Sequence, residues 1–338
     1  MLSQPHSRLP KFVEQIINEM KAAVLYQAAA IPQYADFAEP IPSEYEQIIN
    51  VKAASIKNLD KARAKGAHYD KHENYPVIVG VDGVGMLADG TRVYAGSATG
   101  MMSEKALINK HWYVPIPDEL DDVTAAAIPN PAISAWLSLM YKGKLKKGDT
   151  VLILGATGIT GKLATQIARH LGAGRIIAIG RNQQALNNLD ADVTISLNQS
   201  DDDIKQAIKA EAAQKPFDVV IDYLWGKPAE LLLSTLAGND LNATVDHTTR
   251  YVQVGEMAGS AINLPAAILR STAIELTGAG GGSISKEVIS KIQTEILPEV
   301  FKLAAEGKLS IDTLVIPLKN VTEAWQQDAQ GKRVVITM

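Results

Sequence analysis

The sequence predicts an α/β protein in which a doubly wound parallel sheet interrupts a β-rich domain. Three observations carry that expectation. Between Lys21 and about Asn130 the chain is built of short β-branched segments broken by Pro and Gly turns. From Thr150 onward, apolar runs are mostly separated by helical segments. The last strand-like pieces, LVIPL and RVVITM, have no sheet of their own to join, so they are expected to return to the first domain.

Taken in order, the chain opens on MLSQPHSRLPKFVEQIINEM, in which Phe12, Val13, Ile16, Ile17 and Met20 recur at helical spacing. MKAAVLYQ follows as the first strand of the β-rich domain. Residues 1–19 are therefore either an added helix or an extension ahead of a natural start at Met20. The segment lacks the continuous apolar stretch of a secretory signal, which leaves cytoplasm as the default location. The strands of the first domain are expected in KAAVLY, YEQIINVKAAS, PVIVGV and TRVYAG, and AISAWLSLMYKGKLK reads as helix.

Six strands of the second domain are expected in TVLIL (150–154), RIIAI (175–179), DVTISL (192–197), FDVVID (217–222), RYVQVG (250–255) and AIELTG (273–278). The first four are nearly continuous in Val, Ile and Leu, as suits parallel strands covered on both faces. Between the first two, Leu163, Ala164, Ile167, Ala168 and Leu171 form one apolar stripe, and Gly172 stands where a helix would end. KEVISKIQTEILPEVFKLAAEG then reads as one long helix. The expected division is an extension over 1–19, a discontinuous β-rich domain over 20–130 and 279–338, and a parallel-sheet domain over 131–278.

Composition narrows the function classes. At 338 residues two domains are the better expectation. A net charge of −4 gives no electrostatic reason to expect nucleic acid or an anionic membrane as partner, and no apolar run approaches the roughly 20 residues that span a bilayer. There is no cysteine, which excludes disulfides, thiolate nucleophiles and Cys-ligated zinc.

TVLILGATGITGKLATQIARHLG places Gly155, Gly158 and Gly161 between a buried strand and an amphipathic helix, with Ala156, Thr157, Ile159 and Thr160 among them. The first glycine permits the tight turn. The second admits a pyrophosphate to the backbone, and the third lets the helix pack on the sheet. The helix N-terminus then favours the anion. The next strand ends in Gly180, Arg181 and Asn182 with no acid to bind a ribose 2′-hydroxyl, and Arg181 offers a planar fork for a 2′-phosphate. NADPH is the expected cofactor. VIVGVDGVG, with glycines at 80, 83 and 85, fails the same test because a hairpin, MLADGTRVYAG, follows it in place of a helix. It reads as a structural turn with Asp82 as a structural carboxylate. HYDKHE (His68, Asp70, His72, Glu73) reads as a solvated loop rather than a metal cluster.

MKAAVLYQ, GVDGVG with DGTRVYAG, PNPAISAWLSL, GATGITG, VQVGEMAG and the closing PLKNVTEAWQQDAQGKRVVI resemble, in that order, the medium-chain dehydrogenase/reductase superfamily and its zinc-free quinone oxidoreductase-like branch. The likeness runs from Met20 to Met338. It implies a GroES-like catalytic domain interrupted by a Rossmann domain, with the active site in the cleft between them. Zinc-dependent members carry GHExxG where this chain has Gly80 to Gly85, so Val81 stands at the ligating histidine and no metal is expected. By the same resemblance Asn58 lies near the nicotinamide, although the family pattern around it is one residue longer. Tyr69 and Lys57 are possible donors in the same region. Ser134, Val254 and Gly255 would flank the nicotinamide, and Glu104 matches a structural acid. The implied reaction is hydride transfer from NADPH to a small electrophilic acceptor, either a quinone or an α,β-unsaturated carbonyl. An NADPH-binding protein with little catalysis, like zeta-crystallin relatives, and a zinc-free alcohol dehydrogenase are the alternatives. A homodimer is expected from the family. Replacing Arg181 by Ala should weaken NADPH a few-fold or more while sparing NADH, as titration of both cofactors would read; an equal effect on the two would refute the 2′-phosphate role.

Overall fold

The computed structural model describes residues 18–67, 70–238 and 247–338. The first strand, β1 (Glu19–Leu25), pairs antiparallel with β2 (Gln33–Ala38) and with the two-residue β4 (Val77–Ile78). β1 opens at Glu19, and Met20 is an interior strand residue, 2% exposed. The helix expected over residues 12–20 falls on residues 1–17, outside those described, and on the start of this strand.

A larger sheet contains β3 (Glu46–Ser55), β5 (Asp82–Met86), β6 (Arg92–Gly96), β7 (Lys105–Asn109) and β8 (Val114–Pro115), together with β15 (Thr313–Pro317) and β16 (Arg333–Thr337) from the end of the chain. Its order is β15-β16-β3-β5-β6-β8, with β7 on β3. β16 lies antiparallel to β3, Ile336 opposite Ala54, and β15 runs parallel to β16. β5 and β6 form the hairpin read from MLADGTRVYAG, turning at Gly90 with φ +88°. Gly83 and Gly85 are packing glycines: a Cβ at Gly85 would stand 2.5 Å from Asn50 O.

The parallel sheet comprises β9 (Thr150–Leu154), β10 (Arg175–Gly180), β11 (Val193–Ser196), β12 (Val219–Asp222), β13 (Thr249–Gln253) and β14 (Ile274–Gly278). Their order is β11-β10-β9-β12-β13-β14, every pair parallel. The order reverses between β9 and β12, and in open α/β sheets ligands bind outside the strand C-termini at such a reversal. Alternation assigns the faces. Val151, Ile153, Ile176 and Ala178 pack with Leu163, Ala164, Ile167 and Ala168 of the helix over Ile159–His170. Leu152, Leu154, Ile177 and Ile179 pack on the other face with Ile204 and Ile208. Gly172 has φ +93°, the left-handed residue that ends the first of these helices.

The helices in chain order are α1 (Asn58–Ala64), α2 (Asp122–Ala127), α3 (Pro129–Trp136), α4 (Ile159–His170), α5 (Gln183–Asn187), α6 (Asp201–Gln214), α7 (Gly226–Leu236), α8 (Ala266–Ser271), α9 (Lys286–Lys291), α10 (Leu297–Ala305) and α11 (Val321–Gln326). The long helix expected after Lys286 is α9 and α10 joined by a π-helical turn, Ile292–Ile296. Pro298 follows this turn in the first turn of α10, where its missing N–H breaks the regular ladder at least cost. Among the described residues, no helix is long and apolar enough to cross a membrane.

One core joins the two sheets. Tyr94 of β6 meets Phe301 of α10 edge to face, ring centroids 5.9 Å apart, within the same cluster that contains Val151 and Val335. At the end of β12, the buried Asp222 carboxylate accepts from Leu224 N (2.8 Å), Trp225 N (2.9 Å) and the Tyr251 hydroxyl (2.7 Å). These bonds hold a tight turn in which Trp225, at φ +56°, occupies backbone space that favours glycine. Tyr251 is fully buried in this role, so it does not serve as an aromatic surface for an acceptor. Tyr251→Phe should cost about 1–3 kcal/mol of stability in urea unfolding, because it leaves a buried carboxylate oxygen without its donor.

Candidate functional site

The turn from β9 into α4 has the geometry of an anion site. Gly155 takes φ +92°, and its N–H donates to Ile179 O at 2.8 Å, as does that of Ala156 at 2.9 Å. Gly158 is the N-cap of α4 and brings no capping side chain, so the first-turn N–H groups of Ile159, Thr160 and Gly161 lack an intrahelical acceptor. Gly158 is exposed, and a Cβ there would meet only Gly155 O, 3.5 Å away, which leaves the loop open to a ligand. Gly161 lies against the strand exit: a Cβ there would overlap Gly155 O and stand 2.6 Å from Ala156 Cα. Thr157 packs over Gly180, whose absent Cβ would be 2.5 Å from the threonine methyl. These residues suit a dinucleotide pyrophosphate.

Arg181 is exposed at the end of β10, next to Asn182, whose side chain caps α5 by accepting from Ala185 N at 3.0 Å. Val254 and Gly255 follow β13, and their N–H groups donate to Asp222 O at 2.8 and 3.1 Å. Gly255 must be glycine on packing grounds, since a Cβ would lie 2.5 Å from Tyr223 O.

Between the parallel sheet and the antiparallel one lies a cavity of about 370 Å³. Asp82 and Tyr94 reach it from β5 and β6. Asn130, Ile133, Ser134 and Leu137 reach it from α3 and the π-helical turn that continues it, at the spacing that puts side chains on one helical face. Ile284, Ile289 and Ile292 close the opposite wall beyond β14. Ser138 also lines the cavity, but its hydroxyl is committed to Ser134 O at 2.7 Å. Of the expected site residues, Ser134 is the one this cavity contains.

Behind Asp82 is a buried ion cluster that the sequence did not announce. Lys57 is 1% exposed; its ammonium donates to Ser55 O (2.9 Å) and Asp82 Oδ1 (3.1 Å) and lies 3.3 Å from Asp60 Oδ2. Asp60 in turn accepts from Lys57 N at 2.8 Å and from Val81 N at 2.9 Å. Burial opposes the Lys57 charge, but Asp60 and Asp82 outweigh it and raise its pKa above the ordinary lysine value. Burial pushes the Asp82 carboxyl up, and the Lys57 ammonium pulls it the other way. Burial, and then the nearby Asp82 carboxylate, push the Tyr94 hydroxyl well above its ordinary pKa, so it stays protonated. Arg333, also buried, reaches from β16 to Ile56 O at 3.2 Å.

This placement bears on three of the expected residues. Lys57 is enclosed and cannot donate to a substrate directly; its ammonium holds carboxylates together. Asn58, beside it, is exposed and outside the cavity wall; its Nδ2 donates to Met257 Sδ at 3.8 Å, across to the loop after β13. Asp82, read as purely structural, also lines the cavity. Tyr69, and His68 of the rejected metal cluster, lie outside the described residues. Glu104 is structural as the resemblance implied, accepting from Lys21 N at 2.8 Å.

Asn130 and Tyr94 stand inside segments that carry the resemblance but are not singled out by it, and the three isoleucines carry no motif. Only the proximity of β6, α3 and the segment after β14 reveals them. Lys57→Met should cost about 3–5 kcal/mol in chemical denaturation by leaving buried carboxylates unpaired. Asn58→Ala, at an exposed position, should stay within about 0.5 kcal/mol.

A family model described as zinc-binding dehydrogenase matches residues 160–294. A probable NADPH-dependent quinone reductase of Emericella nidulans is 26% identical over 90% of this chain and 96% of its own length. The quinone oxidoreductase of Lama guanicoe is 29% identical over 68% of this chain and 70% of its own. The crystal structure of a putative NADPH:quinone reductase from Bacillus thuringiensis superposes with a TM-score of 0.77 at 19% identity, covering 95% of this chain and 99% of that one. Taken with the 3-2-1-4-5-6 order of the parallel sheet, these matches support the medium-chain dehydrogenase/reductase superfamily, quinone oxidoreductase-like, as the family this chain resembles.

Proposed function

We propose that this oxidoreductase uses NADPH, without zinc, to reduce a quinone or an α,β-unsaturated carbonyl. The observation that carries the reading is the open, uncapped N-terminus of α4 with Arg181, and no acidic residue, at the end of the next strand. The relatives named for quinone reduction agree with it. In this reading Gly155, Ala156, Thr157, Gly158, Ile159, Thr160 and Gly161 cradle the pyrophosphate, Gly180, Arg181 and Asn182 meet the adenosine side, and Ser134, Val254 and Gly255 flank the nicotinamide. Bound NADPH supplies the hydride.

The chain's own contribution is orientation and charge stabilisation. Asn130 and Ser134 offer an amide and a hydroxyl to the acceptor oxygen that gains charge. Ile133, Leu137, Ile284, Ile289 and Ile292 exclude water around the reacting carbon. Zinc independence rests on the residues: Val81 offers no ligand, and the chain has no cysteine. The two-domain division, with 20–130 and 279–338 flanking 131–278, draws support from β15 and β16 joining β3. A homodimer through β14 is part of the same proposal; β14 is an edge strand and exposes Leu276.

Stopped-flow absorbance with a panel of quinones and enones tests the reading: NADPH should be oxidised faster by at least one of them than in buffer. Tight NADPH binding with no turnover on any acceptor would overturn it.

A further inference from the structure

We propose that Asp82 is a specificity-determining residue, which makes the cavity select uncharged acceptors bearing a hydroxyl and reject those bearing a carboxylate. The inference rests on the reductase reading above and names the substrate class for the same cavity. Among the described residues that line the cavity, Asp82 is the only acid and there is no lysine or arginine. Its side chain is 11% exposed, while Lys57, which balances its charge, is 1% exposed. A ligand therefore touches the carboxylate and not the ammonium behind it.

The carboxylate is held by Lys57, whose ammonium donates to Oδ1 at 3.1 Å, with Tyr94 beside it in the cavity wall. Its two oxygens offer about four acceptor sites, so capacity remains for a donor from a ligand. Hydrogen bonds to a charged acceptor are among the stronger ones, and they form here in a poorly hydrated space walled by Ile133, Leu137, Ile284, Ile289 and Ile292. The same surroundings make a second carboxylate costly, since like charges are poorly screened there. A plain apolar substituent is merely neutral, leaving Asp82 with its present partners.

The test compares 1,4-benzoquinones carrying a methyl, a hydroxymethyl or a carboxylate group, with NADPH as reductant. In the wild-type enzyme, kcat/KM should fall in the order hydroxymethyl, methyl, carboxylate, with the first exceeding the last by at least about tenfold and the difference lying mainly in KM. Asp82→Asn should narrow that ratio several-fold by admitting the carboxylate. Equal use of the carboxylated and hydroxymethylated acceptors by the wild type overturns the inference, as does an equal shift for all three in a folded Asp82→Asn enzyme. The wild-type series decides the matter even where the variant does not fold.

Calorimetric titration of wild-type protein, saturated with NADP⁺, with the matching redox-inert cyclohexanones separates the two levels. Absence of turnover with preserved hydroxymethyl preference in binding would sink the reductase reading alone. Turnover with no preference in either measurement would sink only the selectivity.

Discussion

The ammonium of Lys57 is the point on which the antiparallel half of the site depends. A lysine taken out of water is tolerated only where opposite charge and hydrogen-bond acceptors replace the solvent, and here two carboxylates and a backbone carbonyl do so. Through that one group, the end of β3, the start of α1 and the start of β5 are drawn to a common centre. Asp60 ties in the turn before β5 through Val81 N, and Arg333 brings the C-terminal strand to the same place through Ile56 O. Residues separated by most of the chain are thereby held to one geometry, and the cavity surface that Asp82 offers inherits its rigidity from them.

The parallel half is organised by a different constraint, the need to enclose a strand on both faces and still release its C-terminal end to a ligand. β9 is buried throughout, with alternate residues feeding two separate clusters. Its exit is then turned by Gly155 and pressed against α4 at Gly161, where a Cβ cannot fit. Close packing at those two glycines leaves Gly158, the exposed one, to face outward. Across the sheet reversal, Asp222 secures the matching exit of β12 by satisfying two backbone N–H groups and a tyrosine hydroxyl. The parallel-sheet side of the cavity thus rests on tight backbone turns, and the antiparallel side on a buried ion cluster.

The glycine turn into α4, the six parallel strands and the absence of an acid after β10 were all legible in sequence, because each depends on residues adjacent in the chain. Strand periodicity, glycine spacing and a helix stripe report local geometry directly. The same approach misjudged Lys57 and understated Asp82. Both stand next to recognisable motifs, but what decides their roles is a partner 25 positions away in sequence and a wall supplied by residues 130–137 and 279–292. The π-helical turn before α10 was equally invisible, since the apolar pattern of a long helix does not register a shift of one hydrogen bond.

By itself, then, the sequence determined the α/β class, the glycine turn between β9 and α4 and the lack of the family's metal ligands, since these follow from residue type and short-range spacing. Only the tertiary structure decided which polar side chains meet in the cavity and which are sealed behind it. The physical reason is burial: whether a lysine or an aspartate faces a ligand or another charge depends on what packs over it, and that cover comes from distant parts of the chain.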